Sequence, residues 1–413
     1  MRIAFIGLGA MGLPMARNLA RTDGIKLTAY DLSGSRLAQA GDIARLASSV
    51  ADAVQGADAV FTVVPADQHV TAVAREVAAA HAGNRWFADF STISPATIEE
   101  VAAELAAEGT QTISVVLTRS TAAAQAGTLG LFAGGVNELP AEIATALSAM
   151  ASNVFLVGSL GAAKAFKMIN NMMVAALDIA INEAIVIGGV AGLEPENVTD
   201  ALASGGVTSW VLPNHIVRYV LPDDLGPGRF STRYMAKDVA LCSSLARQLG
   251  VPAFFAGLAS SFYRGCVAFG FGDDYHLKVI RWLEAGAATP RNVECDTGEA
   301  LAALVAGVAA VQSLVSYEGI ELARLSGMAP AQAAGHFENG SAGNAGLDWW
   351  RTPADERGPS PTVGSLVDGL VPALDLASRL EVPATTFDVA RHRALSIAAA
   401  SGGLRQPLWK AAE

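Results

Sequence analysis

Charge is scarce in this chain: only 16% of its 413 residues are Asp, Glu, Lys or Arg, against 52% that are hydrophobic. The balance is acidic, −11, and no Lys/Arg cluster forms a stripe, so nucleic acid is not expected as a partner. Cysteine is nearly absent. Cys242, Cys266 and Cys295 are odd in number and far apart, which argues against a disulfide framework and for a reducing, cytoplasmic setting. The six histidines (His69, His81, His215, His276, His336, His392) show no metal-ligand spacing, so no metal is expected. Long uncharged runs are also missing. Met172 to Gly192 contains Asp178 and Glu183, and Leu301 to Ser316 is short and follows Glu299. A spanning helix needs about 20 nearly uncharged residues, so both read as buried helices and no membrane partner is expected. The N-terminal apolar segment is broken by Gly7, Gly9 and Gly12, unlike a signal peptide.

What is present is a strand, a glycine turn and a helix at the very start. Residues 2–6 are a short apolar run, followed by Gly7-Leu8-Gly9-Ala10-Met11-Gly12 and a helical Leu13-Pro14-Met15-Ala16. The spacing has a physical cause. Gly7 permits the tight turn, Gly9 lets a pyrophosphate approach the backbone, and Gly12 lets helix and strand pack closely. The next strand, Leu27 to Tyr30, ends in Asp31, about 20 residues after the glycines, where a carboxylate can accept the adenosine ribose hydroxyls and repel a 2′-phosphate. NAD is therefore expected over NADP. Its bland alternative is a turn residue before Ser33-Gly34. Further strands are expected at Ala59–Val64, Trp86–Phe90, Thr112–Leu117, Leu129–Ala133 and Asn153–Val157, with helices around 67–81, 95–108 and 137–150. This alternation predicts a doubly wound sheet whose ligand lies beyond the strand ends. Val64, Pro65 and Thr92 join the glycine loop and Asp31 as cofactor contacts.

After Val157 the pattern becomes a long helix carrying Lys164, Lys167, Asn170 and Asn171. Lys167 and Asn171, four apart, share one face and form a plausible proton-transfer pair. Such a lysine must have a lowered pKa to work near neutrality, through partial burial or a second cation. From spacing alone, a solvated helix face carrying Lys164 and Lys167 explains the pattern as well.

Four segments in order resemble the β-hydroxyacid dehydrogenase family, which includes 3-hydroxyisobutyrate dehydrogenase. They are Gly7 to Ala16, Asp89-Phe90-Ser91-Thr92-Ile93-Ser94-Pro95, Gly158 through Lys167 to Asn171, and Lys237-Asp238-Val239-Ala240-Leu241 trailing to Gly270–Asp274. The resemblance implies Lys167 as catalytic acid/base, Asn171 as the substrate-orienting amide with Asn170 beside it, and Lys237 near the nicotinamide. One segment departs. The family's substrate loop reads Asp-Ala-Pro-Val-Ser-Gly-Gly, whereas this chain has Ser114 to Ser120, with Thr118 standing for the serine and Arg119 for a glycine. Thr118, Arg119 and Ser120, with Asn170, are expected at the substrate, with Arg119 pairing an anionic group; Arg119 turned to solvent is the alternative.

The chain continues well past the family's usual end and resembles its own middle. Glu183, Ile185, Gly192, Pro195 and Gly205 match Glu318, Ile320, Gly327, Pro330 and Gly340 at an offset of 135. Leu245, Ala246, Leu249, Val251, Pro252 and Ala253 match Leu376, Ala377, Leu380, Val382, Pro383 and Ala384 at 131. This predicts a duplication. The second copy has Ala302, Ala306 and Asp368 where the first has Lys167, Asn171 and Lys237, so it is expected to be structural. The duplicated helical domain of 6-phosphogluconate dehydrogenase supplies the analogy: the second copy would replace a partner subunit's surface. The Leu347–Arg351 loop either covers the cleft or simply packs, the latter being favoured.

The expected fold class is thus an α/β Rossmann domain (1–157) followed by two all-α helical domains related by duplication (158–287 and 288–413), with Gly286 to Thr297 as linker. The expected function is NAD-dependent oxidation of the hydroxyl of a β-hydroxy acid or related small anion, or reduction of the matching semialdehyde. Oxidative decarboxylation is the enzymatic alternative, suggested by the duplication; an imine-reducing activity is disfavoured by Lys167. The non-enzymatic alternative is a NAD-binding protein without catalysis, which the altered loop keeps open. The oligomeric state is left open, a homodimer among the choices.

Overall fold

The computed structural model describes residues 1–287, 295–353 and 355–409. Most of the Gly286–Thr297 linker lies outside the described residues. The chain divides into two units, Met1–Met168 with Ser326–Met328, and Ile169–Leu325 with Ala329 onward.

The first unit is built on one sheet: β1 (Arg2–Ile6), β2 (Lys26–Tyr30), β3 (Arg45–Leu46), β4 (Ala59–Thr62), β5 (Trp86–Asp89), β6 (Gln111–Thr118), β7 (Leu129–Gly134) and β8 (Ala151–Leu156). Its order is β3-β2-β1-β4-β5-β6-β7-β8. β1 to β6 run parallel, β7 is antiparallel to β6, and β8 pairs parallel with β7. The period of two explains why both faces are filled. In β1, Ile3 and Phe5 enter a core shared with Met15 and Leu19 of helix Gly12–Ala20. Ala4 and Ile6 enter the opposite core, with Val70 and Val77 of helix Asp67–Ala79 and Ile98 of helix Pro95–Ala106. Every strand expected from the sequence is present, with ends shifted by a residue or two. β3, only two exposed residues at the sheet edge, was not expected.

The second unit is helical. The long helix Leu160–Val190 enters it from the first unit and is followed by Pro195–Ser204, Thr232–Leu249 and Phe254–Cys266. Past the linker come Thr297–Leu325, Pro330–Asn339, Val363–Leu380 and Thr385–Ser401 in the same order. Both expected helical domains, 158–287 and 288–413, fall largely inside this one unit, and the division comes at Met168 rather than Val157. Helices Leu160–Val190 and Thr297–Leu325 have the length and apolarity of membrane spans, but 89% and 67% of their most apolar windows are buried within the protein. The tryptophan loop packs rather than reaching out: Trp350 is buried, and Trp349 and Trp350 both lie against Trp409. Cys242, Cys266 and Cys295 are unpaired, and the first two are buried.

Candidate active site

Each glycine of the loop meets a different constraint. Gly7 has φ +95°, and a Cβ there would lie 2.2 Å from the Val63 carbonyl oxygen. A Cβ at Gly12 would lie 2.0 Å from the Gly7 oxygen, so helix Gly12–Ala20 can approach β1 only without one. A Cβ at Gly9 would meet nothing within 4 Å, so here the side chain is missing on an open side. Leu8 is buried beneath the turn while Ala10 is exposed, and no side chain caps the helix at Met11. Uncapped amides and dipole therefore remain for an anion. Asp31 accepts the Leu8 amide (2.7 Å) through one oxygen and the Ser33 amide (2.7 Å) through the other, so the carboxylate also ties the glycine loop to the end of β2. A carboxylate retains acceptor capacity beyond those two bonds. Val64, Pro65 and Thr92 follow β4 and β5 on the same carboxyl edge, where the Ser91 hydroxyl accepts the Val64 amide at 2.9 Å. An open cradle, uncapped amides and a carboxylate at the neighbouring strand end fit a dinucleotide pyrophosphate and ribose.

Beneath that edge lies a feature absent from the sequence reading. Lys164 is fully buried, with Nζ 2.7 Å from Asp89 Oδ2 and donating to the carbonyls of Asp89 (2.9 Å) and Ser91 (3.0 Å). The solvated-face explanation fails for Lys164, and Lys167 is half-buried rather than exposed. The lysine at 164 thus locks the loop carrying Ser91 and Thr92 to the helix that carries Lys167.

The expected substrate loop is corrected by its geometry. Thr118 is wholly buried and its hydroxyl donates to the Gly130 carbonyl across the sheet (3.3 Å), leaving no surface for a ligand. Ser120 caps helix Thr121–Ala126 by accepting the Ala123 amide. Arg119 keeps a glycine-like backbone, φ +79°, and is exposed. Its guanidinium donates to the Thr128 carbonyl (2.5 Å) and the Ser152 hydroxyl (2.8 Å). All three side chains are engaged in holding the strand end, and none is held toward a substrate anion.

In the second unit the amides form a directed chain. Asn170 Nδ2 donates to Asn171 Oδ1 (3.2 Å), and Asn171 Nδ2 donates to Asp238 Oδ2 (2.7 Å). Lys237 Nζ sits 2.9 Å from Asp238 Oδ1. Asp238 and both asparagines are buried, while Lys237 is partly open. Asp238 thus fixes the orientation of Asn171 and holds Lys237. It lay in the motif carrying Lys237, but its role was not legible because the partner is 67 positions away.

The histidines also converge in a way their spacing hid. His215 Nδ1 is 2.9 Å from Asp178 Oδ1, and His276 Nε2 is 3.2 Å from Asp178 Oδ2, all three buried. This set has the residue types of a metal site, contrary to the expectation from spacing. Direct hydrogen bonds account for its geometry. His276 Nδ1 donates to the Phe230 carbonyl at 3.2 Å, and Asp178 is held below the usual carboxylate range by the two histidines despite its burial.

Residues 2–158 match the model of the NAD binding domain of 6-phosphogluconate dehydrogenase. Residues 161–283 match that of the NAD-binding domain of NADP-dependent 3-hydroxyisobutyrate dehydrogenase. A NAD-dependent L-serine dehydrogenase of Pseudomonas aeruginosa is 33% identical over 284 residues, covering 66% of this chain and 94% of that protein. A 3-hydroxyisobutyrate dehydrogenase of the same organism is 32% identical, covering 63% and 90%. The solved 3-hydroxyisobutyrate dehydrogenase of Mycobacterium tuberculosis with L-serine superposes with a TM-score of 0.64 at 29% identity, over 68% of this chain and 98% of that one. Likeness over nearly the full length of these relatives, together with the glycine cradle on the first sheet, places the chain in the β-hydroxyacid dehydrogenase family, as a dehydrogenase of hydroxyl groups that uses NAD(P).

Proposed function

We propose that the chain oxidises the hydroxyl of a small anionic β-hydroxy acid, or reduces the matching semialdehyde, with Lys167 as general acid/base. The observation that carries this is the helix Leu160–Val190. It sets Lys167 and Asn171 one turn apart, with the Asn171 amide pinned by Asp238. When bound, the dinucleotide supplies the hydride acceptor. In the oxidising direction Lys167 Nζ takes the hydroxyl proton, and the free hydrogen of Asn171 Nδ2 holds the same oxygen. Asp31 favours NAD, because a 2′-phosphate would meet its carboxylate. Two buried unpaired cysteines agree with a cytoplasmic setting.

The second helical segment is read as a degenerate repeat standing in for a partner subunit. Helices Pro195–Ser204 and Pro330–Asn339 share both boundaries at an offset of 135, and Thr232–Leu249 and Val363–Leu380 do so at 131. Their caps correspond too: Ser231 accepts the Tyr234 amide, and Thr362 accepts the Ser365 amide. The contacts are reciprocal. Glu183 accepts the Thr386 amide (2.9 Å) at the start of one helix. Its counterpart Glu318 accepts the amides of Phe254, Phe255 and Ala256 (2.8, 3.0 and 3.1 Å) at the start of the corresponding one. Residue i meets j′ and i′ meets j, the signature of a two-fold interface. With Ala302, Ala306 and Asp368 in the second copy, one catalytic set remains per chain.

The test is NADH formation at alkaline pH from 3-hydroxyisobutyrate, L-serine and 2-(hydroxymethyl)glutarate. Lys167→Ala should lower kcat about 100-fold or more while leaving the NAD dissociation constant within about two-fold. Turnover that survives Lys167→Ala refutes the role of that lysine.

A further inference from the structure

The amide chain at Asn171 does not end at Asn170. Asn170 Nδ2 also donates to Ser341 Oγ (2.9 Å), and the Ser341 backbone amide donates back to Asn170 Oδ1 (3.3 Å). Ser341 lies beyond helix Pro330–Asn339, in the segment without catalytic residues. Its loop is firmly held. The Trp210 amide donates to the Gly343 carbonyl (2.8 Å), the Ala345 amide to the Thr208 carbonyl (3.0 Å), and the Ser316 hydroxyl to Asn344 Oδ1 (2.8 Å).

The direction of every bond is chemically determined. A backbone N–H can only donate, so the Ser341 amide marks which end of the Asn170 amide is oxygen, and the Ser341 hydroxyl holds the nitrogen end by accepting one of its hydrogens. An ionised carboxylate can only accept, so Asp238 fixes which end of Asn171 is nitrogen. These two constraints agree: Ser341 N–H to Asn170 oxygen, Asn170 nitrogen to Asn171 oxygen, Asn171 nitrogen to Asp238.

The other half of the helical unit provides an internal control. At an offset of 135, Gly340 corresponds to Gly205, Ser341 to Gly206 and Asn170 to Val305. A Cβ on Gly340 would lie 2.7 Å from Asn170 Oδ1, and a Cβ on Gly205 would lie 2.4 Å from Val305 Cγ1. The same close approach of loop to long helix therefore occurs twice. In the half without a catalytic set it is apolar, Gly205 against Val305, while Gly206 turns through φ +85° with nothing near where its Cβ would lie. Packing alone is satisfied there without a hydroxyl or an amide. The polar pair occurs only where the helix carries Lys167 and Asn171.

We propose that Ser341, supplied by the second helical repeat, is a positioning residue of the substrate site that acts through Asn170 to orient the Asn171 amide. The proposal rests on Asn171 holding the substrate hydroxyl. It assigns the second repeat a part in positioning the substrate amide beyond covering an apolar face.

The test uses the full chain, with the hydroxy acid turned over best among 3-hydroxyisobutyrate, L-serine and 2-(hydroxymethyl)glutarate. Ser341→Ala should lower kcat/KM about 10-fold, the effect of losing one hydrogen bond from an oriented pair, with the NAD dissociation constant and Tm held near wild type. Ser341→Thr, which keeps the hydroxyl, should recover most of that loss. A kcat/KM for Ser341→Ala within about two-fold of wild type overturns the proposal. So does a Ser341→Thr variant as impaired as Ser341→Ala, or a loss that tracks a fall in Tm. Should the wild type turn over none of the three acids, the functional reading fails separately. A crystal structure of Ser341→Ala then decides this one: Asn170 and Asn171 amides displaced from their wild-type positions support it, and unchanged amides overturn it.

Discussion

Glu183 and Glu318 are the two most consequential buried acids in the helical unit, and they make its stability depend on pH in an unusual sense. Each is buried at the start of a helix that it caps, and burial pushes each from an ordinary value of 4.5 to about 7. Backbone amides, and Arg393 in the case of Glu318, pull the other way without overcoming burial. Between those values the folded chain keeps a proton that the unfolded chain has lost. Stability from each glutamate is therefore fullest at low pH and is lost as pH rises toward 7. The interval from 4.5 to about 7 corresponds to about 3 kcal/mol per glutamate at about 1.4 kcal/mol per pH unit. Most of this loss falls between about pH 5 and pH 7. Glu318→Gln mimics the protonated form and cannot titrate. Urea unfolding of wild type and Glu318→Gln across this range isolates the glutamate, because every other titrating group cancels in the difference. The variant should gain on the wild type by about 3 kcal/mol as pH rises, and Glu183→Gln should do the same. A difference that stays constant with pH refutes the burial argument. A difference of opposite sign shows that the amides outweigh desolvation.

Five other outcomes follow from the first unit. Gly9→Ala should leave Tm near wild type, since its Cβ meets nothing, but weaken NAD binding about 10-fold or more by filling the phosphate approach. Gly12→Ala, whose Cβ would lie 2.0 Å from the Gly7 oxygen, should instead lose about 1–3 kcal/mol in urea unfolding; equal stability of the two variants contradicts the division of labour. Asp31→Ser should weaken NAD binding and narrow its lead over NADP in titrations, and a wild type that prefers NADP removes the role given to Asp31. Lys164→Ala strands Asp89 in the core and should cost about 3–5 kcal/mol in urea unfolding; a loss below about 1 kcal/mol shows the pair to be dispensable. Arg119→Gly should leave kcat/KM unchanged, since the guanidinium is held by Thr128 and Ser152, and a marked loss on anionic substrates restores Arg119 to the substrate site.

What could be read in the sequence is what depends on local periodicity and on glycine. β1 was legible because each of its two faces fills a core, and the glycine loop because three backbone constraints recur at fixed spacing. β3 carries no such pattern: two exposed residues at an edge leave no hydrophobic mark. The loop at Thr118 to Ser120 shows the limit of reading a side chain from its place in a motif. Arg119 retains the positive φ that suits a glycine, so the position matches, yet that same backbone turn carries the guanidinium to Thr128 and Ser152. Asp238 was visible as a neighbour of Lys237, but its bond to Asn171 was not.

Ser341 lies 171 positions from Asn170, a separation at which no spacing rule operates. On the proposed duplication, the clue nevertheless lies in the sequence. Once Gly205 and Gly340 are matched, the same offset pairs Asn170 with Val305 and Ser341 with Gly206. Gly340 comes close to Asn170 and Gly205 to Val305, the same approach of loop to long helix. Where two copies descend from one, a site that survives in one copy marks itself by the polar pairs its counterpart lacks. A buried amide at one of two positions matched by the proposed repeat and valine at the other is a difference that packing does not require. It is therefore the place to look for a residue whose work is done in the opposite half of the chain.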